Sequence, residues 1–367
     1  MSKHCPKFNT KPTISRRDFL RLTGLTTAGI LLASCESKVT EAVSGTKQAR
    51  VAIGKAKAYE RTVIERQLAQ MIDQLGGLED VVKPGDRVAI KVNLTGGLRQ
   101  APLPGVAAID SYVTHPEVVR ALVKQVQAAG AKEIFIVEAV YEWASYTEWG
   151  YEELAADTGV TLIDLNDTKP YNDFIEVKVE NNFIYPSFLF NPLLTDVDVY
   201  MSVSKMKNHY EQGVTHTIKN AMGLAPLQFY EMKKGDGYRS AIHGLASETR
   251  TRLPGTIIDL NKARRINFSL IDGIKTAEAG EGPWIATMTP VEPGVLFAGK
   301  NPVSTDAVAT AAMGYDPTTD YPNEPFIRGD NHMNMAAAVG MGTNHIDEID
   351  VVGATIEEVL YPFTPAR

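Results

Sequence analysis

The chain has 367 residues, with 37 Lys and Arg against 44 Asp and Glu, a formal charge of −7, and 44% hydrophobic residues. That composition is ordinary for a globular protein, and the length can bury a large core. The acidic balance repels nucleic acid and anionic lipid, so neither is expected as a general partner.

The chain opens on a segment that reads as an address. Ser15-Arg16-Arg17-Asp18-Phe19-Leu20-Arg21 resembles a twin-arginine export motif, and the apolar stretch Leu22 to Ala33 follows it. A dozen residues at about 1.5 Å each cannot cross a bilayer, so the stretch fits a signal h-region. Leu32-Ala33-Ser34-Cys35 resembles a bacterial lipobox, which makes Cys35 the acylated new N-terminus. The expected plan is a removed signal over 1–34, a small polar tether over 35–49, and a folded body over 50–367. Removing the signal takes six basic residues and one acidic one, leaving 31 against 43, a formal −12. It also takes Cys5, so with Cys35 acylated the body has no thiol for a disulfide, zinc or an iron–sulfur cluster. The expected location is periplasmic or cell-surface, reached through the twin-arginine machinery and held to the membrane only by lipid at Cys35.

Within the body, β-branched runs alternate with amphipathic stretches. The pattern predicts strands at Val88–Asn93, Ile134–Val137, Thr161–Leu165, Val197–Val203, Ile266–Ile271, Val295–Ala298 and near Ile349–Val352. It predicts helices at Pro116–Ala129, closed by Gly130, at Glu152–Asp157 and at Asp306–Met313. This alternation indicates an α/β fold, a mostly parallel or mixed sheet with helices on both faces, in one body or two lobes. The polar stretch from Ala225 to Pro254 reads as a long loop or lid.

Ligands of open α/β sheets bind beyond the carboxyl ends of the strands. Here those ends carry Lys91 and Asn93, Glu138, Ser204 with Lys205 and Lys207, Asp272, and Lys300 with Asn301. Ser204 to His209 and Gly213 to Gly223 place three lysines and two histidines close together in an acidic chain. Ammonium groups beside a Gly-containing turn suit a carboxylate or a phosphate, and clustered lysines depress one another's pKa. His209, Lys207, Lys219 and Glu138 are therefore candidate catalytic groups. Lys91, Asn93, His115, Ser204, Lys205, Asn220 and Gly223 are candidate substrate contacts. His216, Asp272 and Glu278 are candidate ligands for a divalent metal, an optional cofactor. His115 can equally cap the helix that starts at Pro116, and Asp306 suits a helix N-terminus. No Walker loop, Gly-x-Gly-x-x-Gly, Gly-x-Ser-x-Gly or His-Glu-x-x-His occurs.

Taken together, Gly85–Asn93, Thr114–Glu117, Ala129–Glu133, Ser204–Gly223, Asp272-Gly273 with Glu278–Pro283, and Lys300–Asp306 resemble domain of unknown function 362, over most of residues 51–353. Many members of that family carry cysteine-rich ferredoxin modules. This chain has none, so an electron-transfer role is not carried over. A fainter likeness is to nickel-pincer lactate racemase-type proteins, which set a histidine and a lysine around a glycine-rich turn. The expected function is an enzyme acting on a small anionic molecule. The alternative is a lipoprotein that binds a ligand or assists assembly without turnover.

Overall fold

The computed structural model describes residues 49–100, 103 and 105–367. The expected export motif, the expected cleavage site and Cys35 lie outside them. Twelve strands are formed among the described residues: β1 Ala49–Lys55, β2 Arg87–Lys91, β3 Glu133–Glu138, β4 Thr161–Asp164, β5 Ile175–Lys178, β6 Ser187–Phe190, β7 Val199–His209, β8 Gly213–Thr215, β9 Phe268–Glu278, β10 Thr289–Val291, β11 Val295–Gly299 and β12 Ile349–Gly353. The helices are α1 Arg61–Gln74, α2 Pro116–Ala128, α3 Ala144–Glu148, α4 Tyr151–Thr158, α5 Leu193–Asp196, α6 Ser240–His243, α7 Thr249–Ala263, α8 Pro302–Ala312 and α9 His332–Ala338.

One sheet runs β12-β1-β11-β9-β7-β2-β3-β4, with β8 and β10 extending β7 and β9, and β5–β6 a separate hairpin. Along that path only β11 runs against its neighbours. The sheet is continuous, and among the described residues it belongs to a single compact unit, without a second lobe. Strand alternation sends Val88 and Ile90 to one face, where they meet Ile64, Leu68 and Met71 of α1 and Val118 and Leu122 of α2. It sends Ala89 to the other face, with Leu253 and Ile257 of α7 and Ala307 and Val308 of α8. Burying one such Leu or Ile side chain contributes about 1.5–3 kcal/mol, so α1 holds by its apolar stripe although its other face is charged. No helix of the described residues is long and apolar enough to cross a membrane.

Three sequence expectations change. β1 begins at Ala49, inside the proposed tether, because it pairs with both β11 and β12. β7 continues six residues past Val203, and all eleven of its residues are buried. The stretch 225–254 is not one loop: α6 and the start of α7 lie in it, with Ile242 and Leu253 fully buried.

The strand order also places the site. From β2 the chain steps outward to β3 and β4, then returns to lay β7 on the other side of β2. The β2–β7 boundary is thus a topological switch point, where loops diverge and open a crevice.

A candidate anion-binding site at the switch point

Asn220 bridges that boundary. Its amide nitrogen donates to Ser202 Oγ on β7 (3.0 Å), and its Oδ1 accepts from Lys91 Nζ on β2 (2.9 Å) and from Asn93 Nδ2 (3.2 Å). The Lys91 ammonium also donates to Glu138 Oε2 (2.9 Å) and the Val92 carbonyl (2.6 Å), which fills its three donor positions. Burial lowers the Lys91 pKa and the Glu138 carboxylate opposes that. Gly223 lies against this pair, and a Cβ there would stand 2.0 Å from Glu138 Oε1 and 2.6 Å from Lys91 Nζ. Its lack of a side chain is what lets the turn after Lys219 close over the ions.

A second pair lies one strand over. Lys205 donates to Asp272 Oδ2 (2.9 Å), Tyr59 Oη (2.8 Å) and the Ile109 carbonyl (3.1 Å), and both ions are fully buried. Asp272 also accepts from Tyr59 Oη (2.9 Å) and the His115 backbone N–H (3.1 Å). His115 caps α2, its Nδ1 accepting from Glu117 N–H (3.1 Å), and its ring stacks on Tyr59 at 3.6 Å. Burial takes its pKa down to about 4, against the pull of Asp272.

Near these pairs are two lysines that no carboxylate of the described residues pairs with. Lys207, 1% exposed, donates to the Tyr112 carbonyl (2.6 Å). Burial first, and then neighbouring Lys219, push its pKa well below the lysine range. Lys219, 8% exposed, makes no hydrogen bond or ion pair with the described residues. Burial brings its pKa down to about 8, although Glu281 and Glu211 pull the other way.

The nearby imidazoles add donors. His209 Nδ1 accepts from the backbone N–H groups of Glu211 and Gln212 (both 3.2 Å), so the ring hydrogen of the neutral form sits on Nε2. Burial, reinforced by Lys219, keeps its pKa well below the usual value. His332, fully buried, is fixed the same way. Gln212 Nε2, oriented by the Asp330 carbonyl (2.8 Å), donates to His332 Nδ1 (3.3 Å) and leaves Nε2–H without a partner. Lys219 is within charge range of both rings. Of the nearest carboxylates, Glu281 is taken up by the Tyr210 N–H and Trp284 Nε1–H (both 2.9 Å). Two lysine amino groups and two imidazole N–H groups therefore lie within charge range of one another, with no carboxylate among the described residues paired to either lysine. Such a grouping suits an anion.

Behind Lys219, the carboxylate of Asp306 on α8 accepts from Thr217 N–H (2.9 Å), Thr217 Oγ1 (2.5 Å) and Ile218 N–H (2.9 Å). It fixes the turn that aims Lys219. Complete burial raises its pKa to about 7 in spite of those donors.

The profile of the family described as Domain of unknown function (DUF362) matches residues 88–311, more than half of the chain. The chain belongs to that family. The match spans β2 to α8 and so contains Lys91, Lys205, Lys207, His209, Lys219 and Asp306, but not His332. A thylakoid-associated protein of Synechocystis sp. is 27% identical over 85% of this chain and 89% of its own length. The lactate racemase apoprotein from Thermoanaerobacterium thermosaccharolyticum is 12% identical with a TM-score of 0.36, over 67% of this chain and 54% of that one. A Thermotoga maritima protein is 13% identical with a TM-score of 0.36, over 68% and 57%. The chain thus spans little more than half the length of either solved structure.

In this DUF362 chain the candidate residues separate into distinct places. Lys91, Asn93, Glu138, Asn220 and Gly223 form the first pair and its frame, and Lys205, Asp272 and His115 form the second. The Asn93 Oδ1 and Ser204 Oγ atoms are buried without a partner. The proposed metal set does not assemble. Asp272 is the counterion of Lys205, and Glu278 lies at the β9–β10 rim, accepting from Thr364 N–H (2.7 Å). His216 is fully buried with both ring nitrogens unpartnered, its pKa brought to about 3 by burial. No three His, Cys, Asp or Glu side chains among the described residues gather as a metal site. Lys300 and Asn301 do not reach the crevice, because β11 is antiparallel and its end points the other way. Lys300 pairs with exposed Asp80 (2.6 Å), and Asn301 caps α8.

Sequence reasoning missed His332, Glu211, His243 and Arg239. Arg239 is buried and donates to the backbone carbonyls of Ala225 (2.6 Å) and Ala139 (3.2 Å). Glu211 lies within the stretch Ser204–Gly223 but gains its role only through His243, and the other three arrive from separate segments with no local signal. Surface clefts of about 420 and 350 Å³ lie elsewhere, the first lined by Asn334, Asn344 and His345 and the second by Glu278, Thr287 and Thr364.

Proposed function

We propose that this chain is an exported, lipid-anchored enzyme whose substrate is a small anion, a carboxylate or phosphate, seated between β2 and β7. The observation that carries the reading is that Lys207 and Lys219 are buried without a carboxylate partner among the described residues, while Lys91 and Lys205 each have one. An uncompensated buried cation is costly, and a bound anion removes the cost. Lys219 supplies the charge that holds the substrate, and with a pKa of about 8 it gives and takes a proton near neutral pH. His209 Nε2–H donates a hydrogen bond to the bound oxygen and remains neutral. Asp306 positions Lys219 through the Thr217–Ile218 turn. Glu138, committed to Lys91, keeps the frame in register.

Calorimetric titration with inorganic phosphate and with simple carboxylates tests the reading. Binding by the wild type that Lys219→Met weakens by about tenfold or more supports it. Equal binding by the variant, or none by the wild type, removes it. Turnover of a bound acid makes the protein an enzyme, and its return unchanged makes it a binding protein.

The export part of the proposal rests on Ser15–Arg21 and Leu32–Cys35. Its partners are the twin-arginine machinery and the membrane, the latter through lipid at Cys35 alone, and nucleic acid is not among them. Mass spectrometry of the N-terminus from bacterial membranes checks it. A diacylated Cys35 is the expected result, and a retained Met1 would refute it.

A further inference from the structure

One ionisable pair borders this site and takes no part in the proposal above. Glu211 sits in the turn between β7 and β8, and its Oε2 accepts from Nδ1 of His243, the last residue of α6. Their side chains are 20% and 32% exposed for His243 and Glu211, so the pair is reachable from solvent where His209 is not. The His243 ring lies over the His209 ring at 6.5 Å and 25°, and Tyr238 closes its edge at 5.7 Å. The two histidines are set oppositely. His209 has both its backbone donors on Nδ1 and so presents Nε2–H. Burial raises the Glu211 carboxyl, but the His243 bond and nearby Lys219 and Arg328 outweigh it and hold it below the usual range. An ionised carboxylate only accepts, so His243 keeps its hydrogen on Nδ1 and presents the lone pair of Nε2. Arg252 of α7 is committed to the Ala241 carbonyl (2.9 Å) and Tyr185 Oη (3.1 Å), and Arg239, which precedes α6, to the Ala225 and Ala139 carbonyls.

We infer that His243, positioned by Glu211, is a second general base of this site and takes the proton of an acidic O–H on an anion held by Lys219 and His209. The O–H bond breaks and its electron pair stays on oxygen as an oxyanion beside the Lys219 ammonium. The proton goes to His243 Nε2, and the resulting imidazolium keeps Nδ1–H on the Glu211 carboxylate, which balances its charge. Return of the proton restores both groups. The substrate class is therefore an anion with a second ionisable oxygen, such as hydrogen phosphate or a phosphate monoester. The inference rests on the anion reading for the place of the substrate, and on the dyad alone for the state of His243.

Long-range proton–nitrogen NMR of the histidine-labelled protein tests it, with His243→Gln assigning the resonances and inorganic phosphate as the probe because it carries its own acidic O–H. Without phosphate His243 is expected as the Nδ1–H tautomer, and saturating phosphate is expected to protonate its Nε2. Glu211→Gln should keep the tautomer, since an amide oxygen still accepts, but lose the phosphate-induced protonation. Glu211→Ala should lose both. An Nε2–H tautomer in the free protein, or an unchanged His243 while His209 reports bound phosphate, overturns the inference. If phosphate moves no histidine signal, the anion reading fails, and the tautomer of His243 decides the dyad alone.

Discussion

Lys91 and Lys205 are buried as deeply as Lys207 and Lys219, yet the two sets live in opposite surroundings. Each of the first two has a carboxylate at 2.9 Å and further acceptors that complete its shell. Of the second two, one has a single backbone carbonyl and the other has no partner among the described residues. The paired lysines fasten neighbouring strands and loops, and the unpaired ones keep their bonding capacity for a ligand. The comparison teaches that burial alone does not mark a functional lysine. What marks it is burial left uncompensated.

The largest expected effect breaks the paired side. Lys91→Met strands Glu138 as an unpaired buried ion and should cost about 3–5 kcal/mol of unfolding free energy, measured in urea. Lys205→Met should do the same to Asp272, and adding Asp272→Leu should recover most of the loss.

On the unpaired side the sign reverses. Lys219→Met should raise stability by up to about 3 kcal/mol at neutral pH, because it removes a cation whose pKa burial takes from 10.5 to about 8. The same variant should weaken phosphate binding by about 10- to 100-fold, the worth of a charged hydrogen bond. A Lys219→Met protein that is both less stable and equally able to bind would erase the distinction.

A smaller effect should come from Asp306→Asn, about 1–3 kcal/mol, because an amide nitrogen cannot accept from Ile218 N–H as Asp306 Oδ2 does. Its thermal melts sharpen the point further. The Asp306 pKa is raised in the fold, from 3.8 to about 7. This group's contribution is thus full below pH 4 and is lost as pH rises to 7, a slope that the Asn variant should lack.

The finest test is a pH titration. Lys219 is lowered in the fold, so between about 8 and 10.5 the unfolded chain binds the extra proton and stability rises with pH. Anion affinity should fall over that range as the folded ammonium loses its proton. An affinity flat from pH 7 to 10 would exclude Lys219 as the holder of the charge.

Much of the architecture could be read from the sequence, because β2 and β3 are apolar runs buried along their length and α2 buries an apolar stripe. β7 was legible only to Val203, since Ser204-Lys-Met-Lys-Asn-His has no apolar period. Its polar groups are buried because partners from other strands and loops satisfy them, which no local pattern records. The direction of β11 was equally invisible, and with it the misplacement of Lys300 and Asn301. The lysines were found by sequence, but what separates Lys205 from Lys207 is Asp272, 67 residues on from Lys205. His332, His243 and Glu211 carry meaning only through the rings and ions they meet in the fold.

The edge β12-β1-β11 has a consequence for how the chain folds. Val51 pairs with Val351 on one side and with Gly299 on the other, so the first strand finds both neighbours only near the end of the chain. A chain growing on the ribosome cannot close this edge until its last strand has emerged. Folding should therefore be slow and largely post-translational, limited by contacts of very large sequence separation. A chain shortened before Ile349 would leave β1 with an open edge, and aggregation is the expected fate of such a strand.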